Sequence, residues 1–166
     1  MRTKSGKRNF LFTLVTVAII PTLSFAAEEK NSPEEKISPA TVAQQLFKKA
    51  QSNDNWKHAF LTGKYAQVVF MNISPNTAPK NEIGQEKHPF DQIIFIVKGN
   101  GKAVLNKETS VVKEGDMIFI PEGTPHNVIN TSEKEELKLV SIYSDMDIPG
   151  DATYKKKEDE IAELGE

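Results

Sequence analysis

The sequence predicts an all-β domain of the sandwich or barrel class, and three observations carry that expectation. Short apolar stretches recur through residues 65–143, separated by Gly, Pro and Asn clusters about every 8–12 residues. Several of these stretches alternate apolar with polar side chains, the period of a half-buried strand. A composition of 38% apolar and 27% charged residues over 166 positions gives a single domain enough material for a core.

The first 26 residues stand apart from that pattern. Arg2, Lys4, Lys7 and Arg8 make a basic start, residues 10–20 are mostly apolar, and Ser24-Phe25-Ala26 offers small residues for cleavage before Ala27. That order is the one found in secretory signal peptides, and it predicts a periplasmic or secreted protein that leaves the membrane after cleavage. The apolar run is shorter than the roughly 20 residues that span a bilayer. Without those residues, 17 Lys and Arg face 23 Asp and Glu, a net charge of −6, which offers no basic surface to a nucleic acid. The chain has no cysteine, so neither a disulfide nor a thioether-linked lipid is available, and stability has to come from the core and from any bound metal.

Residues 27–37 are polar and read as a flexible lead. Ser38-Pro39 then resembles an N-cap with proline in the first turn, and Val42, Leu46, Phe47 and Ala50 follow at helical spacing, which predicts a helix over 39–52 lying on the outside of the β-domain. Strands are expected at 65–73 and 91–98, then at 102–105 after a hairpin at Gly99-Asn100-Gly101. Four more are expected at 110–112, 117–120, 126–129 and 137–143. Residues 151–166 are charged and read as a short helix or a tail.

The sharpest local signal runs from Gly115 to Asn130: a glycine, an alternating apolar run, a turn marked by Pro121 and Gly123, and then His126 near the start of the next strand. His88 is flanked by Glu86 and Gln92, and if this stretch is extended all three project from one face. Glu86, His88, Gln92 and His126 would then converge as a nitrogen and oxygen set suited to Mn, Fe, Ni or Zn. Spacing alone leaves a structural role open for both histidines. His58 reads as structural or surface, and Asp91 should point outward. Asn72 and Asn130 head incidental glycosylation sequons, and Phe70, Met71, Phe95 and Phe119 line either a pocket or the core.

Gly115, Pro121, Gly123, His126 and Asn130 match, at every defined position, the second signature of the cupin superfamily, G-x5-P-x-G-x2-H-x3-N. The first signature, G-x5-H-x-H-x3-E-x6-G, is kept at His88 and Gly99, while Lys80, Glu86 and Gln92 replace its opening glycine, first histidine and glutamate. Residues 82–92 also resemble a subgroup of small bacterial cupins that carry Glu, His and an Asp-Gln pair there. The resemblance implies a double-stranded β-helix, or jelly-roll barrel, over residues 38–150. It also implies a divalent metal held by the Glu86, His88, Gln92 and His126 variant of the usual site, and pairing of two copies through their sheets. Three functions follow as alternatives: a metal-dependent enzyme acting on a small polar, sugar-like molecule, a non-catalytic periplasmic binder of a metal or small ligand, or a structural protein with an empty site. No catalytic residue beyond the metal set is indicated.

Overall fold

The computed structural model describes residues 36–75 and 77–164. The leader and most of the polar lead lie outside the described residues. Two antiparallel sheets face each other. The larger has the order β6-β3-β8-β2-β1-β9 and the smaller β5-β4-β7. Their strands are β1 Lys57–Thr62, β2 Gln67–Ile73, β3 Gln92–Lys98, β4 Asn100–Leu105, β5 Glu108–Lys113, β6 Met117–Ile120, β7 His126–Asn130, β8 Leu137–Tyr143 and β9 Thr153–Tyr154. The inner faces enclose Val69, Met71, Ile73, Ile94, Ile96, Ala103, Ile118, Ile120, Val128, Leu137 and Leu139, each buried. This is the jelly-roll architecture that the signatures imply.

The smaller sheet is extended by residues 81–86, which run antiparallel to β7. Ile83 N–H donates to the Val128 carbonyl (3.0 Å), Asn130 N–H to that of Asn81 (2.8 Å), and Glu86 and His126 exchange both backbone bonds at 2.9 Å. Asn127 pins the same stretch, donating from Nδ2 to Glu82 (2.6 Å) and accepting the Gly84 N–H at Oδ1 (3.1 Å).

Several expected boundaries shift, for identifiable reasons. The first strand, β1, is additional to the expected set: Lys57, which looks like a solvated residue in sequence, is buried in it. The expected helix over 39–52 shrinks to α1, Leu46–Gln51. Ser38 cannot cap a helix because it is engaged by β1: its N–H donates to the Thr62 carbonyl (2.7 Å) and its Oγ accepts the Thr62 N–H (2.9 Å). Gln45, at φ 52°, sits in the left-handed region and confines the helix to the residues after it. What remains of α1 does pack on the outer face of the larger sheet, where Ala50 and Leu46 meet Phe70, Val97 and Val140.

The turn at Gly99 is not a hairpin. β3 pairs with β6 and β8, whereas β4 pairs with β5 and β7, so Gly99, at φ 85°, swings the chain from one sheet to the other. The hairpin of this region joins β4 to β5 through Asn106 and Lys107, both at positive φ (50° and 75°), the conformation of a type I′ turn. The C-terminal segment forms β9 on the edge of β1, followed by α2, Lys157–Leu164. Phe70 and Met71 are core residues, Phe95 is half-buried, and Phe119 is 51% exposed on the outer face.

Candidate metal centre

The site is built by the backbone pair Glu86 and His126. Residues that exchange both hydrogen bonds in an antiparallel ladder present their side chains to the same face, so the carboxylate and the imidazole meet: Glu86 Oε2 lies 3.7 Å from His126 Nε2. His88, two residues on from Glu86, returns to that face, with its Nε2 at 3.3 Å from Glu86 Oε2. Its carbonyl accepts the Gly123 N–H (2.9 Å), so the Pro121–Gly123 turn also anchors His88. The ring stacks on Phe90 (centroids 5.0 Å apart, planes 4° apart) and meets Tyr143 edge-on at 5.6 Å.

One donor atom from each of Glu86, His88 and His126 falls within 4.8 Å of the other two. His126 is fully buried, whereas Glu86 and His88 keep 20% and 14% side-chain exposure, so the cluster touches solvent on their side. His126 Nδ1–H donates to the Thr124 carbonyl (2.8 Å), which leaves Nε2 as a bare lone pair, and that buried atom has no hydrogen-bond partner among the described residues. Gln92, the first residue of β3, lies on the inner face and is fully buried. Its Nε2 donates to Ser141 Oγ (2.7 Å), and its Oε1 is a second buried acceptor without a partner among the described residues. The orphaned lone pair of His126 beside a carboxylate and a second imidazole suits a cation, and Gln92 is the one expected donor that no contact ties to the other three. Asp91, next in parity, is exposed, and its Oδ1 accepts the Glu122 N–H (2.8 Å). His58 is elsewhere, with Nδ1 2.9 Å from Thr153 Oγ1.

The electrostatics agree with that chemistry. Burial alone would raise the Glu86 carboxyl, but the hydrogen bond from His88 and the charge of Lys57 outweigh it and hold it below its ordinary range. Burial alone would lower His88, yet Glu86 and Asp147 together raise it. In His126 burial prevails and the ring is pushed down, toward the neutral form that a metal requires.

Sequence reasoning missed a second layer. Lys57 is buried between Asp147 (3.4 Å) and Glu160, whose other oxygen accepts the Trp56 Nε1–H (2.7 Å). Burial alone would lower the Lys57 ammonium, but Tyr143 and the carboxylates of Asp147, Glu86 and Glu160 outweigh it and raise it well above its usual value. Asp147 Oδ1 in turn sits 3.6 Å from His88 Nδ1. No local motif marks these residues, because Lys57 and Asp147 are 90 positions apart and meet only in the folded barrel.

Comparison with known proteins agrees with the fold. The family profile described as a cupin domain matches residues 74–143. The protein YrkC of Bacillus subtilis is 30% identical over 142 residues, covering 81% of this chain and 74% of its own length. The protein L612 of Acanthamoeba polyphaga mimivirus is 41% identical over 101 residues, 58% of this chain, and the chain spans about three fifths (61%) of that relative. Among solved structures, BH2720 of Bacillus halodurans superposes with a TM-score of 0.69 at 29% identity, covering 75% of this chain and 96% of BH2720. The chain belongs to the cupin superfamily.

Proposed function

We propose that this chain is an exported cupin that holds a divalent first-row metal through Glu86, His88 and His126, with Gln92 Oε1 as a fourth, weaker donor. The observation that carries this reading is the bare, fully buried Nε2 of His126, aimed at the Glu86 carboxylate. Charge supports it as well. Glu86, Asp147 and Glu160 set three carboxylates against the single ammonium of Lys57, and a divalent cation balances the remainder. The metal would act as a Lewis acid with positions open to an oxygen ligand, and the partly exposed side of Glu86 and His88 gives a small polar, sugar-like molecule access to it. A non-catalytic binder is the second reading, favoured by the neutral amide of Gln92 where other cupins place a carboxylate. Export rests on the basic and apolar order of residues 1–26.

Elemental analysis of protein purified without a histidine tag tests the site directly. Close to one equivalent of metal is expected, and His126→Ala should lower metal content and thermal stability together. An unchanged metal content in that variant would refute the ligand assignment. Turnover of a sugar-like substrate panel by the metal-loaded protein separates enzyme from binder. N-terminal sequencing of the mature protein should begin at Ala27.

We further propose that two copies pair through the outer face of β3 and β6. Met117 and Phe119 are 58% and 51% exposed there, opposite Phe95 and Ile93, and Phe47 of α1 extends the patch by contacting Phe95 at 5.5 Å.

A further inference from the structure

We propose that Asp147 is the positioning residue for His88, and that Lys57 and Glu160 hold it in place, so that the C-terminal helix supports the metal centre from behind. The inference rests on the metal-binding reading above and deepens it. An imidazole has two nitrogens and, when neutral, one proton. If Nε2 of His88 gives its lone pair to a metal, the proton it now shares with Glu86 must leave, and the remaining one sits on Nδ1. The group facing Nδ1 is Asp147 Oδ1, at 3.6 Å. That separation is an ion-pair contact, longer than a hydrogen bond, and a side-chain movement of roughly half an ångström brings it into hydrogen-bonding range. His126 meets the same requirement with a backbone carbonyl, that of Thr124 at 2.8 Å. The two histidines therefore differ in what fixes them: one uses a main-chain acceptor, the other a side chain that needs support of its own.

That support is present and buried. The N–H groups of Asp147 and Ile148 both donate to Gln67 Oε1 (3.0 and 3.2 Å), while Gln67 Nε2 donates to the Ile148 carbonyl (2.8 Å). Gln67 is fully buried, so this clamp fixes the backbone that carries Asp147. Asp147 Oδ2 then meets Lys57, Lys57 meets Glu160, and Glu160 accepts from Trp56. Trp56, Lys57, Asp147 and Glu160 all lie outside the matched cupin segment, residues 74–143, so the buttress comes from the flanks of this chain. Carboxylates that orient a ligating histidine typically change metal affinity 10–100-fold when removed.

The test measures Co2+ affinity by competition with a chromophoric chelator, in the full-length protein and in Asp147→Asn and Glu160→Gln, with each change repeated in a His88→Ala background. Asp147→Asn should weaken binding by about 10–100-fold without changing the ligand number read from the Co2+ absorption spectrum. In the His88→Ala background the same change should shift affinity less than about twofold, since coupled sites lose their interaction when one partner is gone. A full-sized loss that persists without His88 would mean that Asp147 acts only as a charge, and unchanged affinity in Asp147→Asn with His88 present would overturn the proposal outright. Should Asp147→Asn fail to fold, Glu160→Gln carries the test, with a smaller loss expected only where His88 is present and no loss refuting it. A parent protein that binds no Co2+ would instead refute the metal reading itself, and this inference with it.

Discussion

Gln92 is where the donor set departs most from the cupin pattern, and it can be altered with little change in shape. Replacing its amide by a carboxylate in Gln92→Glu buries a charge that has no partner, so the metal-free protein should lose roughly 1–3 kcal/mol in urea unfolding. Metal affinity should move the opposite way, rising by about tenfold, equivalent to roughly 1.4 kcal/mol, as read by calorimetric titration. A fall in both quantities would mean that Oε1 does not face the cation. The candidate donors were legible in the sequence because each belongs to a short pattern: His126 follows the Pro121 and Gly123 turn at fixed spacing, and Glu86, His88 and Gln92 share one parity. Lys57, Asp147 and Glu160 were not legible. A lone charged residue outside any motif reads as solvated, and only the folding of β1 against β9 and the meeting of Lys57 with Asp147 and Glu160 removes these three from water.

Among the elements, the turn after β7 shows why the second signature ends in asparagine. Asn130 donates from Nδ2 to the carbonyls of Ile73 (2.9 Å) and Glu135 (2.8 Å) and accepts the Ser132 N–H at Oδ1 (2.9 Å), so a single buried side chain ties β7 to the end of β2 and to its own turn. Asn130→Ala strands two carbonyls and should cost about 1–3 kcal/mol in chemical denaturation, with little effect on metal stoichiometry. The end of the β2–β8 ladder carries a titratable clasp: Asn72 Nδ2 donates to Glu136 Oε1 (2.8 Å) and, with Lys138, holds that carboxyl below its ordinary range. A depressed carboxylate contributes stability above its unfolded pKa, and the contribution is lost as pH falls through the folded value. Glu136→Gln should therefore lower stability at neutral pH, where the ionised clasp contributes, and flatten the acid limb below about pH 4.3, where the two proteins converge. The strands of alternating sequence were legible to within a few residues. β1 and the short α1 were not, because their ends are set by Ser38 and Lys57 through partners distant along the chain and by the left-handed backbone of Gln45.

For the whole molecule, the open edge at β6 and its apolar outer face predict the assembly. Phe119→Lys should convert a dimer to a monomer in light-scattering chromatography while leaving metal content intact, because Phe119 lies on the face opposite Ile118 and Ile120 of the core. A parent protein that is monomeric at micromolar concentration would dismiss that interface. The mutual backbone bonding of Glu86 and His126 has a further consequence for how such a protein can change over generations. Side chains on a ladder swap faces with every one-residue slip, so a single codon gained or lost between Gly84 and Glu86 would turn the carboxylate away from the imidazole while the barrel stayed shut. The geometry of the candidate site and foldedness are thus separable, and a descendant could lose the donor cluster through one small indel yet persist as a sound, inert scaffold.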